Sequence, residues 1–343
     1  MFSASRPGPG QAEQPGYFIR INHGLKQMHR FWNILLKPAL QAVKAAKIIE
    51  IGADQGDNTL NLIEYCRENS GTVHVIDPCP AFDPEEWGKT YQDAARFHTT
   101  LSLNALPEIP DPHAVLIDGD HNWYTVYNEL KLIEKNARAC GSAFPLIFLH
   151  DMCWPYARRD LYYDPDNIPE AFRKPFKKMG ISPDSRDLVQ EGGLNPHLFN
   201  AIYENNLQNG VLTAVEDFIS QSSLCLNLRT VPLFNGLGIL FDDSLNSNHS
   251  FSRIVSQLSF NPLQTDLLAL AEDSRNRAQI RDAQRKQLIR ELKDRLVAHE
   301  RELKTGKKLT EKYFLALARA EKKVQTLQQR ANALAAENRT LSK

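Results

Sequence analysis

The sequence predicts an α/β protein: a doubly wound, mostly parallel sheet closed by an antiparallel hairpin, followed by a long α-helical coiled coil. Three observations predict it. Short β-branched runs alternate with helical patterns through the first two thirds of the 343 residues, the signature of parallel strands joined by crossover helices. Those strands end in glycine, aspartate or histidine. Beyond Pro262 there is no proline and one glycine, Gly306, while apolar residues recur every 3.5 positions, the period of a left-handed coiled coil.

Residues 1–20 are rich in Pro, Gly, Gln and Ser and read as a disordered lead-in without the apolar core of a secretory signal. The α/β domain is expected over 21–245. A helical pattern over 25–47 is interrupted at Pro38. The run 47–52 is a strand ending in Gly52, 58–68 a helix, and 72–77 a strand stopped by Pro78. A helix over 84–95 precedes a weak strand over 96–101. Strands follow at 113–118 and 146–150, with a helix over 123–138 between them. A helix over 212–220 leads to a hairpin, 224–231 and 236–241. Residues 246–264 read as a linker, and 265–343 as the coiled coil.

In open α/β sheets ligands bind at the carboxyl ends of the strands, so the strand-end residues carry the chemistry. The first turn, Glu50-Ile-Gly52-Ala-Asp54-Gln-Gly56-Asp57, lacks both GxGxxG and the GxxxxGK[ST] phosphate loop. Its E-x-G-x-x-x-G spacing resembles motif I of class I S-adenosylmethionine-dependent methyltransferases, which have a Rossmann-like fold. The resemblance implies a cofactor site of Glu50, Gly52, Asp54, Gly56, Asp77, Ser102 and Asp118. Asp77, ending the second strand, would accept the ribose hydroxyls. The spacing alone also suits a nicotinamide nucleotide, though the glycine fingerprint of that class is missing.

Asp118-Gly119-Asp120-His121 and His150-Asp151 end two strands expected to be neighbours. Three carboxylates and two imidazoles facing one crevice repel unless a cation or protons neutralise them. Oxygen-rich ligation suits Mg²⁺. DGDHNWYTVYNEL followed by LIFLHDM resembles the metal-dependent sugar O-methyltransferases of the macrocin O-methyltransferase type. The resemblance implies Asp118 and Asp151 as Mg²⁺ ligands and Asp120 as general base. His150 stands where that family often has a second acid. It can ligate, act as base, or orient Asp151, and a metal-independent enzyme using His121 or His150 as base stays open.

Residues 152–210 are too long for a simple connection and read as an acceptor lid. Trp154, Tyr156 and Tyr162 are candidates to stack on a sugar, and Arg158 and Arg159 to grip phosphate or carboxylate. A packed cap whose aromatics form their own core is the competing expectation.

Net charge is zero, but 265–343 holds 19 Lys+Arg against 11 Asp+Glu, and the rest of the chain 22 against 30. From Ile289 to Leu341, twelve of sixteen seam positions are apolar or Tyr. Asn338 at a core position favours a parallel homodimer in register, and Gly306 a bend. Docking on a pathway enzyme, or a solvated helix folded back on the globular part, suits the same pattern. Interspersed acids disfavour nucleic acid. No stretch approaches the ~18 apolar residues of a membrane span. The five scattered cysteines form no CxxC pair, which fits a reduced cytoplasm. Two functions are carried forward: sugar O-methylation in polysaccharide or glycoside synthesis, and a scaffold without turnover acting through its coiled coil.

Overall fold

The computed structural model describes residues 28–305 and 310–340, so the 1–20 lead-in and the Gly306 bend lie outside the described residues. Five parallel strands form the centre of a seven-stranded sheet: β1 (Lys47–Ile51), β2 (Thr72–Ile76), β3 (Ala95–His98), β4 (Ala114–Ile117) and β5 (Leu146–Leu149). Their order is β3-β2-β1-β4-β5. The chain therefore winds outward from β1, then returns to start again at β4. That reversal between β1 and β4 opens a crevice at their carboxyl ends. The predicted hairpin, β11 (Leu226–Val231) and β12 (Leu237–Asp242), completes the edge, with β12 antiparallel to β5.

Both faces of the sheet are covered, so its strands are apolar at successive positions rather than alternately. Ile48, Val73 and Phe148 point to one side, packed under the helical turns from Met28, α1 (Lys37–Ala42) and α2 (Asp57–Glu68). Ile49, Ile117 and Ile147 point to the other, under α5 (Trp123–Cys140) and α6 (Val211–Gln221). The expected helix at 84–95 is shorter. It forms α3 (Pro84–Thr90), because Ala95 is drawn into register with Val73 as the first residue of β3. Short α4 (Ser102–Ala105) follows.

The stretch 246–264 is not a linker. It holds α7 (His249–Ser256), capped by Asn248, whose side chain accepts from Phe251 N and donates to Ala42 O. Phe251 is fully buried against Phe241, edge to face at 5.0 Å. Burying one phenyl ring contributes about 1.5–3 kcal/mol, enough to fix this turn to the domain.

The 152–210 insertion, expected as a lid, is a built structure. β6 (Leu161–Tyr162), β7 (Phe176–Lys178) and β10 (Phe199–Ala201) form one small sheet, and β8 (Gly180–Ser182) pairs with β9 (Ser185–Val189). Buried Asp160 ties the lid down, accepting from Trp123 N at the start of α5, Gly210 N at the start of α6, and Tyr162 Oη.

The tail folds into α8 (Pro262–Thr305) and α9 (Thr310–Thr340). α8 lies back on the domain, where Glu272 and Asn276 are buried and Arg277 pairs with Asp184 of the lid. Arg285 donates to Gln328 at 2.6 Å, so α9 runs back alongside α8. The folded-back alternative thus describes the start of α8. Leu327 and Leu334 of the apolar pattern stay more than half exposed, and the Asn338 side chain lies outside the described residues. Among the described residues no helix is long and apolar enough to cross a membrane.

Candidate active site

The β1 turn is held by two carboxylates, buried Glu50 and partly exposed Asp77. Glu50 accepts from Asn58 Nδ2 (2.8 Å) and Thr59 Oγ1 (2.6 Å), tying β1 to α2. Burial pushes it up to about 7; the Thr59 and Asn58 bonds oppose the rise, and Asp118 and Asp77 add to it. Asp77 accepts from the backbone N–H groups of Ala53, Asp54 and Cys79 at 2.8–3.0 Å, so its carboxylate shapes the turn. Gly52 meets the backbone of Asp118, and Gly56, at the start of α2, sits under the Trp87 ring. Glu50, Gly52, Asp54, Asp77, Ser102 and Asp118 border one cavity of roughly 1110 Å³, whereas Gly56 is not among its lining residues. That lies at the upper end of the range common for ligand sites, about 300–1,000 Å³.

Strands β4 and β5 bring the predicted ion-binding residues together. His150 Nδ1 lies 3.1 Å from Asp118 Oδ1 and 3.0 Å from Asp151 Oδ2. His150 Nε2 donates to Phe234 O at 2.9 Å. Burial pulls the His150 imidazole down, but Asp118 and Asp151 outweigh it and hold the ring well above the usual histidine range. Burial likewise opposes charge on Asp151, yet the His121 and His150 rings and the Asn235 amide bring it to about 2. Asp151 has φ +56°, a strained backbone for a residue other than glycine, of the kind that concentrates at functional sites.

Asp118, His150 and Asp151 offer one ligand atom each, all within 4.8 Å of one another. The donor set fits a divalent cation. The Phe234 carbonyl fixes the tautomer that carries its proton on Nε2 and frees Nδ1 as a lone-pair donor, the arrangement typical of ligating histidines. Without a cation, a proton on Nδ1 balances the two acids.

Asp120 and His121 follow. Asp120 accepts from Thr125 Oγ1 at 3.2 Å, and its carboxyl is raised, chiefly by burial. His121 Nδ1 is 3.3 Å from Asp151 Oδ2, and its ring stacks on Tyr156 at 5.9 Å between centroids.

The predicted acceptor residues separate. Tyr156 borders the cavity. Trp154 packs with Leu161 and Ile181 inside the lid. Arg158 pairs with Glu216 on the outer side of α6. Arg159 is fully buried, its Nη groups donating to the carbonyls of Ala201, Ile202 and Arg186 and pairing with Glu204. Tyr162 is buried, donating to Asp160 and accepting from Lys174 N. These four residues hold the lid together, as in the packed-cap expectation. Part of the cavity wall comes instead from Tyr163, Asn195, His197 and residues of α8, including Gln279, Lys286 and Arg290. The glycine-rich stretch Glu191-Gly-Gly-Leu-Asn195 signals the first part of that wall. Nothing local in the sequence signals α8.

Glu129 on α5 was not anticipated either. It is fully buried beside Ser102, which approaches without forming a well-aligned bond. Burial pushes the carboxyl to about 8, with Ser102 opposing and Asp120 adding to the rise. A carboxyl raised from 4.5 to about 8 gives stability complete below 4.5 and lost as pH climbs through 8. Glu129→Gln keeps the neutral form at every pH. Its thermal stability relative to wild type is expected to match at pH 4.5 and to gain on the order of 1 kcal/mol per pH unit up to pH 8. Melting curves across that range check it; a difference flat with pH would refute the burial account.

The strand order and crevice define a Rossmann-like ligand-binding domain. Residues 49–152 match the family model described as Methyltransferase domain. Among solved structures, the methyltransferase PaMTH1 of Podospora anserina is 15% identical, covering 60% of this chain and 76% of its own, with a TM-score of 0.37. The O-methyltransferase TomG of Streptomyces achromogenes, involved in tomaymycin synthesis, is 12% identical over 64% and 82%, with a TM-score of 0.35. A methyltransferase from Geobacter sulfurreducens is 14% identical over 64% and 85%, with a TM-score of 0.33. No curated protein matches the chain in sequence.

Proposed function

We propose that the protein is an S-adenosylmethionine-dependent O-methyltransferase acting on a sugar hydroxyl in polysaccharide or glycoside synthesis. Asp118, His150 and Asp151 would hold a Mg²⁺ ion that orients the acceptor. The observation that carries this is the meeting, in one cavity, of the β1 turn with the Asp118–His150–Asp151 cluster. S-adenosylmethionine supplies an electrophilic methyl group; a bound cation lowers the pKa of an acceptor hydroxyl. The chain's own residues do the rest. The β1 turn and Asp77 form the cofactor end. Asp151 orients His121 and Tyr156 stacks it flat, so that His121 is placed to take the hydroxyl proton, with Asp120 the other base within the site. The Tyr156 and Tyr163 rings, Asn195 and His197 form a wall mixing flat apolar faces with hydrogen-bonding groups, which suits a glycan. The exposed leucines of α8 and α9 would serve self-pairing or docking on another enzyme of the pathway. Five free cysteines suit a cytoplasmic setting.

Titration calorimetry tests the reading. S-adenosylmethionine is expected to bind at micromolar dissociation constants, about −8 kcal/mol, and NADH not at all. Absence of S-adenosylmethionine binding with and without Mg²⁺ would overturn it.

A further inference from the structure

The loop between β11 and β12 is strained. Phe234, Asn235 and Gly236 have φ of +53°, +65° and +90°. This turn presents the successive N–H groups of Phe234 and Asn235 to one anion, as a backbone nest does. The anion comes from the tail: Glu272 of α8 accepts from Phe234 N (2.9 Å) through Oε2 and from Asn235 N (2.8 Å) through Oε1. Arg275, one turn on, donates to both Glu272 oxygens and to Asn235 Oδ1. Glu272 is 6% exposed.

The far side of the same loop holds the active site. Phe234 O accepts a hydrogen bond from His150 Nε2. Asn235 Nδ2 donates to Asp151 Oδ1 at 3.2 Å. Asn235 O and Gly236 O accept from Cys153 N and Met152 N. Each end of the His150–Asp151 pair is thus anchored to a loop whose unfavourable backbone is compensated by a tail carboxylate.

We infer that Glu272 and Arg275 are positioning residues that set the His150–Asp151 pair through the 234–236 loop, making α8 part of the catalytic domain's active site. In its bearing on cation affinity the inference rests on the proposed Mg²⁺ site; in its bearing on the loop it stands alone. An outer hydrogen-bond partner of a metal ligand changes metal affinity by about 10–100-fold.

The test uses the full-length chain and two readouts. In Glu272→Gln the carboxylate is lost at nearly constant volume, and one nest N–H loses its acceptor. Mn²⁺ affinity, followed by the paramagnetic resonance of the free ion, is expected to fall about 10–100-fold. Amide exchange of residues 150–153 is expected to accelerate at least ~10-fold while that of β1 and β2 stays unchanged. S-adenosylmethionine affinity without metal should hold within about twofold, since the β1 turn makes no contact with Glu272. Arg275→Met should act in the same direction. Unchanged exchange at 150–153, or equal acceleration throughout the sheet, overturns the inference. If wild type binds no Mn²⁺, the cation reading falls, and the exchange result alone decides the positioning role.

Discussion

Asp151→Asn is expected to abolish methyl transfer while leaving the cofactor bound. The substitution is nearly isosteric, and asparagine is among the residues that tolerate φ near +56°, so the backbone at the end of β5 is preserved. The charge is not. Asp151 Oδ2 is shared by His150 and His121 at 3.0 and 3.3 Å. Losing it removes a ligand from the proposed cation site and the acidic partner of the candidate base together. Groups that act as a unit lose most of their effect when one is removed. Transfer from labelled S-adenosylmethionine into a panel of nucleotide sugars and glycosides should fall at least ~10³-fold, a loss of about 4 kcal/mol of transition-state stabilisation. Calorimetry should give a cofactor affinity within a few-fold of wild type, because Asp77 and the β1 turn are untouched. Transfer surviving within tenfold would remove Asp151 from the chemistry and return the base role to Asp120.

What was legible in the sequence is what is encoded locally. A β-branched run that stops at a glycine or an acid is a strand with a loop at its carboxyl end, and parallel topology then sends those ends to one side. Glu50, Asp77, Asp118, His150 and Asp151 could therefore be placed in one crevice without coordinates. The roles of Trp154, Arg158, Arg159 and Tyr162 could not, because an arginine that binds an anion and one that satisfies three backbone carbonyls look alike in a string. Arg159 is decided by Ala201, Ile202 and Arg186, which lie 27–43 residues away. The 246–264 stretch looks like a linker because α7 is short and polar around Phe251; only the apolar surface left by Phe241 and α1 makes it core. The Glu272 contact spans 37–38 residues and joins a helix read for its heptads to a loop read as a turn. Period and propensity carry no information about such pairs.

Gly52→Ala is the second large effect, and it separates two uses of glycine. Gly52 has φ +85°, and an added Cβ would lie 2.2 Å from Asp118 O and 2.6 Å from Asp118 C. The left-handed backbone alone costs a residue with a Cβ about 1–2 kcal/mol. The collision is with backbone, so it cannot be relieved by a rotamer change, and overpacking adds about 1–3 kcal/mol more. The strain falls where β1 and β4 must converge to make the proposed cofactor end of the crevice. Gly141, at the end of α5, supplies the control: its φ is +65°, but an added Cβ would meet nothing within 4 Å. Gly141→Ala should therefore lose only about 1–2 kcal/mol in denaturant unfolding and bind S-adenosylmethionine as wild type does. Gly52→Ala should lose about 3 kcal/mol or more and weaken binding at least ~100-fold, since Asp118 and the β1 turn cannot both keep their places. Equal penalties in the two variants would mean that backbone handedness alone explains Gly52. The close approach of β1 to β4 would then have no part in forming the site.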